Sequence, residues 1–185
     1  MKGAHVKEET ASHPDNVDAR DGPGVMRELL YLLLKIVAIA AAFLLIFTFL
    51  FGIYRNGDVS MFPSVKDGDL VLFYRLDKAY VKSDAVVLKY KGETMTRRVI
   101  AIAGDTVDIT DEGLFINGSL QIEHDIYEKT ERFNTGVEFP LKVGEGQVFV
   151  LGDARKNATD SRVFGCVNIS DTLGKVTAVI RRRGI

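Results

Sequence analysis

Cysteine is nearly absent from this chain of 185 residues, and Cys166 stands alone. One thiol closes no internal disulfide and builds neither a Cys-rich zinc site nor a two-cysteine redox motif. The fold therefore rests on its core. Net charge is almost absent too, at -1, which removes the usual electrostatic reason to expect a nucleic-acid partner. Histidine is scarce: His5 and His13 lie in the polar N-terminal stretch, and His124 is the one beyond it. No internal repeat is present, and no long helical period occurs after residue 53.

One long apolar run is present. Ile36 to Ile53, "IVAIAAAFLLIFTFLFGI", carries no charge, and its length matches the ~17 to 25 residues that cross a bilayer core. Extended back through "LLYLLLK", it predicts a transmembrane helix over 29–53, with Lys35 snorkelling toward headgroups. A cleaved signal peptide has a shorter apolar region and a small-residue cleavage site, which "FLFGIYRNGD" lacks. Arg20, Arg27 and Lys35 against Arg55 and Lys66 favour an N-terminus inside, in the cytoplasm. Residues 1–28, polar and aperiodic through "MKGAHVKEETASHPDNVDARDGPG", are expected to be a disordered cytoplasmic tail.

The remaining stretch, 54–185, is long enough for a compact extracytoplasmic domain. Its texture is short β-rich runs broken by Gly and Asp: "DLVLFYRL", "DAVVLKY", "TRRVIAIA", "DTVDIT", "GLFING", "GQVFVLGD" and "GKVTAVIRRR". Such spacing predicts a mainly β, antiparallel domain, with a hairpin at "DEGLFINGS". The polar, irregular segment 121–146 is expected to be an excursion from the sheet core that either covers a site or decorates the surface, the second reading being the one its polarity favours.

On local grounds Ser60, in "NGDVSMFPSVKDGDLV", is a turn residue near Gly57 and Pro63, six positions past Tyr54, where the apolar run gives out. Met61 and Phe62 after it could anchor a loop in the lipid interface. Taken in order, however, the helix, "SMFPSVKDGDLVL", "RRVIAIAGDTV", "VFVLGDARKNATDSRVFGCV" and "GKV" resemble bacterial type I signal peptidases. These are membrane-bound serine endopeptidases that remove signal peptides from exported proteins. The resemblance spans about Leu30 to Arg183 and implies a signal-peptidase-like antiparallel β fold behind one membrane helix, with no cofactor.

Position by position, the resemblance implies that Ser60 is the nucleophile. It implies that the general-base lysine of the family's "KRVIG.PGD" block falls on Arg97, followed by the matching Arg98, Val99 and Ile100. Met61 and Pro63 belong to the serine block. Asp153, Arg155, Asp160, Ser161 and Arg162 belong to the supporting "GDNR..S.DSR..G" block. Two departures sit in that block: Ala154 replaces an asparagine, and Ala158 replaces the serine that orients the lysine amine in the family. Asp58 is a third, two residues before Ser60, where the family has serine or glycine near the oxyanion hole. A carboxylate pointed inward there opposes a developing oxyanion, so Asp58 either turns outward or compromises the site.

Arginine is not a direct substitute for the base. Neutralising it at pH 7 costs about 1.36 kcal/mol per unit over some six units, or ~8 kcal/mol. Arg97 could instead hold an anion, either Asp58 or a substrate's C-terminal carboxylate. Histidine fills the lysine slot in the related microsomal enzymes, but His124 lies far from it and reads as a surface residue. Lys89 faces water by alternation, and Asp153 and Asp160 are expected to pair with Arg155 or Arg162.

Two functions follow from the resemblance. One is a signal peptidase that cleaves preproteins after small residues of the Ala-x-Ala type at the membrane surface. The other is a non-proteolytic relative that binds or assembles exported or pilus proteins. A third, a membrane anchor with no peptide groove, follows if the outer domain is only structural.

Overall fold

The structure, a computed structural model, describes residues 23–123 and 126–181. The expected tail and His124 fall largely or wholly outside them. The chain divides into two units, Met1–Leu44 and Leu45–Ile185.

The helix α1 runs Pro23–Leu50, starting six residues earlier than the sequence suggests and stopping three earlier than Ile53. Proline presets the helical φ and lacks an N–H where the first turn has no use for one. Residues 24–49 are all exposed, and the helix is long and apolar enough to cross a bilayer. Its charged residues, Arg27, Glu28 and Lys35, all lie in the N-terminal half. At Phe51 the backbone leaves the helix because β1 (Phe51–Arg55) pairs antiparallel with β2 (Leu70–Tyr74), from Phe51 opposite Tyr74 to Arg55 opposite Leu70. Gly52 permits this pairing, since a side chain there would collide with the Phe73 ring.

The chain continues through β3 (Ala85–Tyr90), β4 (Glu93–Ile102), β5 (Thr106–Thr110), β6 (Gly113–Ile116) and β7 (Ser119–Leu120). After the irregular excursion come β8 (Leu141–Lys142), β9 (Gln147–Leu151), the one-turn helix α2 (Ser161–Phe164), β10 (Val167–Asn168) and β11 (Thr172–Ile180). Seven strands form one sheet in the order β1-β2-β11-β3-β4-β9-β10, and β7-β6-β5-β8 form a second. Every pairing in both sheets is antiparallel. The fold is thus mainly β behind one apolar helix, and every strand anticipated from the sequence is present. The hairpin between β6 and β7 turns on Asn117 and Gly118, both at positive φ, as a two-residue turn requires.

Ile100, Ala101, Val107, Ile109, Leu114, Ile116, Phe149 and Leu151 form one core, where β4 and β9 meet the smaller sheet. A second lies under β3, β4 and β9 around Val86, Val99 and Val150. The third consists of Met61, Val65, Val71, Phe73 and Val87. Met61 is therefore a core residue and not a lipid anchor: its side chain is the knob that ties the Ser60 turn to β2. Phe62 alone of that pair is exposed.

Candidate active site

The turn between β1 and β2 is held by its own polar groups. Asn56 is buried and donates through its amide to the Asp58 carbonyl at 2.7 Å and the Lys66 carbonyl at 3.1 Å. Its backbone N–H reaches the Asp69 carbonyl at 2.8 Å. These bonds close the loop and turn Ser60 inward, where the residue is only 4% exposed.

The loop after β9 forms the other wall. The Ser60 carbonyl accepts from the Ala154 N–H at 2.9 Å, and the Ser60 hydroxyl donates to the Asn157 carbonyl at 3.1 Å. Gly152 makes this approach possible: a side chain there would collide with Ala158 Cβ and stand 2.6 Å from the Ser60 carbonyl oxygen. Gly152→Ala is therefore expected to cost about 2 kcal/mol, as overpacking does, with a matching drop in the denaturant midpoint. Unchanged stability would mean that the two loops have room to part.

Arg97 lies on β4 and is 1% exposed. Its Nε donates to the Thr159 carbonyl at 2.9 Å, and Nη1 donates to the Thr96 carbonyl at 2.6 Å. Nη1 and Nη2 both reach Asp58 Oδ2 at 3.1 Å. The other Asp58 oxygen, Oδ1, accepts the Ser60 backbone N–H at 3.2 Å. Asp58 thus does not turn outward. Its side chain is 35% exposed, yet its carboxylate bridges the N–H of Ser60 and the guanidinium of Arg97. The buried charge of Arg97 accounts for this, since an unpaired ion in the interior costs several kcal/mol.

Tyr54 and Thr96 share a short hydroxyl contact beside this pair. Burial pushes the Tyr54 phenol above its ordinary pKa, the Thr96 bond opposing it only partly, so Tyr54 is no phenolate base. Burial likewise pushes the Cys166 thiol up, away from the thiolate a nucleophile needs. Lys89 is exposed, as alternation suggests.

The supporting block is built differently from the expected pairing. Asp160 does pair with Arg162, at 2.9 Å, both fully buried. Asp153 pairs instead with Arg98 at 2.5 Å, and Arg155 pairs with Glu123. Contact across the fold decides this: Arg98 sits opposite Leu151, at the end of β9, which brings its guanidinium over the Asp153 carboxylate. The excursion is correspondingly more than decoration. Thr130 is buried against Arg155, the Glu131 carbonyl accepts from Arg162 at 3.1 Å, and the Val137 N–H donates to the Arg162 carbonyl at 2.9 Å. The Ser161 hydroxyl accepts from the Val150 N–H at 2.9 Å, which fixes α2 to β9.

The structure therefore brings Asp58, Ser60, Arg97 and the 152–159 loop together, with Asp153 and Arg155 part of that loop and Asp160, Ser161 and Arg162 following it. Pro63 follows a cis peptide bond in the Ser60 turn. Sequence reasoning missed the carbonyls of Asn157 and Thr159, because a backbone acceptor leaves no signature in residue type. It also missed Glu123 and Thr130, which sit in a segment without periodicity. Among the described residues no group of acidic, histidine or cysteine side chains is placed to hold a metal.

A family model described as "Signal peptidase, peptidase S26" matches residues 27–181. Signal peptidase I of Bacillus licheniformis is 35% identical over 138 residues, 69% of this chain and 74% of that protein. Signal peptidase IB of Staphylococcus aureus is 30% identical over 164 residues, 77% of this chain and 85% of its own length. A crystal structure of a signal peptidase I from Enterococcus faecalis V583 shares 29% identity and covers 53% of this chain and 97% of that one, with a TM-score of 0.44.

Proposed function

The chain belongs to the signal peptidase family, peptidase S26, and on that premise we propose that it is a slow serine endopeptidase acting on preproteins at the membrane surface. Ser60 is its nucleophile. The observation that carries this reading is the seating of Ser60: its carbonyl and hydroxyl are both engaged by the 152–159 loop, a two-sided grip that an ordinary turn serine does not need. The names of the curated relatives, signal peptidase I and IB, favour it over the non-proteolytic assembly reading.

The substrate binds as an extended strand along β1, an edge of the larger sheet, whose backbone groups are open to pairing. Small side chains precede the cut. Ser60 Oγ attacks the scissile carbonyl, its proton passes to water, the amine product leaves protonated, and a second water hydrolyses the ester. Arg97 takes no proton. The chain is anchored by α1, with the residues before it cytoplasmic, its apolar run through Leu50 in the bilayer, and the strands from Phe51 onward outside. The positive flank of the apolar run supports this orientation.

The test is covalent labelling of the full chain in detergent with an acylating serine-protease inhibitor, read by intact mass. One adduct is expected on the wild type, located at Ser60, and none on Ser60→Ala. A labelled Ser60→Ala chain, or an unlabelled wild type, would sink the reading.

A further inference from the structure

Arg97 is a buried cation, and among the described residues the anion the structure gives it is Asp58. Asp58 is not a permanent partner by construction. It lies on a loop, its side chain reaches solvent, and its two oxygens are divided between Arg97 and the N–H of Ser60. Three N–H donors thus converge on one planar carboxylate, one on Oδ1 and two on Oδ2. That arrangement fits a two-oxygen anion better than a single oxyanion, and the guanidinium contacts to Oδ2 are charge-assisted, which places them among the stronger hydrogen bonds.

We propose that the Ser60 N–H and the Arg97 guanidinium form a carboxylate site that Asp58 fills at rest and that the C-terminal carboxylate of a peptide takes over. This rests on the reading of Ser60 as a peptide-cleaving serine. The desolvation of Arg97 is the driving argument. When a peptide chain enters beside Ser60 and displaces Asp58, the guanidinium must find another anion, because leaving it unpaired costs more than the exchange. An intact peptide bond offers only a neutral carbonyl. A cleaved peptide offers a carboxylate of the shape that Asp58 has. The site therefore retains products over substrates, and Asp58 is the tethered competitor that releases them.

The probes are the tripeptide Ala-Leu-Ala as free acid and as C-terminal amide, each labelled at its N-terminus, titrated into the full chain in detergent. In Asp58→Ser, where the competitor is gone, the acid is expected to bind about tenfold or more tightly than the amide, the worth of one charge-assisted contact. Wild type is expected to show a smaller preference. In Asp58→Ser with Arg97→Gln the preference is expected to vanish. Where Asp58→Ser fails to melt cooperatively, Asp58→Asn keeps the side chain's shape and an acceptor for the Ser60 N–H, and the acid must still outbind the amide. Equal binding of acid and amide in the folded Asp58 variant, or a preference that survives loss of Arg97, overturns the site. Cleavage of an intact signal peptide is scored separately. An acid preference without cleavage refutes the peptidase reading and leaves the site standing, whereas cleavage without an acid preference does the reverse.

Discussion

Arg97→Lys combined with Ala158→Ser and Asp58→Ser is expected to raise kcat/KM on an Ala-x-Ala signal peptide by about 10²-fold or more over wild type. A positioned general base contributes about 10² to 10⁴ in rate. Arginine cannot act as one, because neutralising it at pH 7 costs ~8 kcal/mol, while a lysine needs only some three units, or about 4 to 5 kcal/mol, and burial lowers that further. The slot is already dry, since Arg97 is 1% exposed. Ala158 directly precedes Thr159, whose carbonyl accepts from Arg97 Nε at 2.9 Å, so Ala158→Ser introduces a hydroxyl on the segment that already borders the slot.

The Asp58 change is essential to that result. With Asp58 in place its carboxylate keeps an ammonium charged and occupies the Ser60 N–H that would otherwise stabilise the oxyanion. Arg97→Lys with Ala158→Ser alone should therefore gain much less, about tenfold at most by the same scale of base catalysis. Cleavage is followed by mass spectrometry on the full chain in detergent, with Ser60→Ala in the triple background as the zero. A folded triple variant no faster than wild type would mean that the missing base is not what limits this protein.

The two halves of the site differ in how far residue types foretell them. Strand runs such as "AVVLKY" and "QVFVL" declare themselves by apolar content between turn residues, and β3 and β9 form there. β1 does not, because "FGIYR" continues the apolar run of α1 without a break. Only its pairing with β2, and the fit of Gly52 over Phe73, ends the helix at Leu50. Charge partners are similarly contextual. Asp160 and Arg162 are two residues apart and share one turn, so proximity suggests their pairing. Asp153 meets Arg98 only because β4 and β9 are neighbours, and Arg155 meets Glu123 only because the excursion folds back. Asp58 lies between these cases: the residues offer it as one anion for Arg97, and the pair does form, but its inward turn depends on the burial of Arg97, 39 residues later.

Asp160→Ala is expected to destabilise the extramembrane domain by about 3 to 5 kcal/mol, the cost of removing one partner from a buried ion pair. Few residues here carry as many bonds. The Asp160 carboxylate accepts from the Arg162 N–H at 3.1 Å, Nε at 2.9 Å and Nη2 at 2.9 Å, and from the Gly152 N–H at 3.0 Å. Without it Arg162 keeps the carbonyls of Glu131 and Arg155 and the Phe133 face, but these offer no countercharge. Asp160→Asn retains the shape and some acceptors and should cost less, so the two variants separate charge from packing. The apparent melting temperature of Asp160→Ala should fall by on the order of 10 °C. Because the Gly152 N–H is released at the same time, the loop that grips Ser60 loosens with it, and Ser60 labelling by an acylating inhibitor should slow even below the melting transition. A chain that keeps both its melting temperature and its labelling rate would show that the 152–162 block is held by packing and not by this carboxylate.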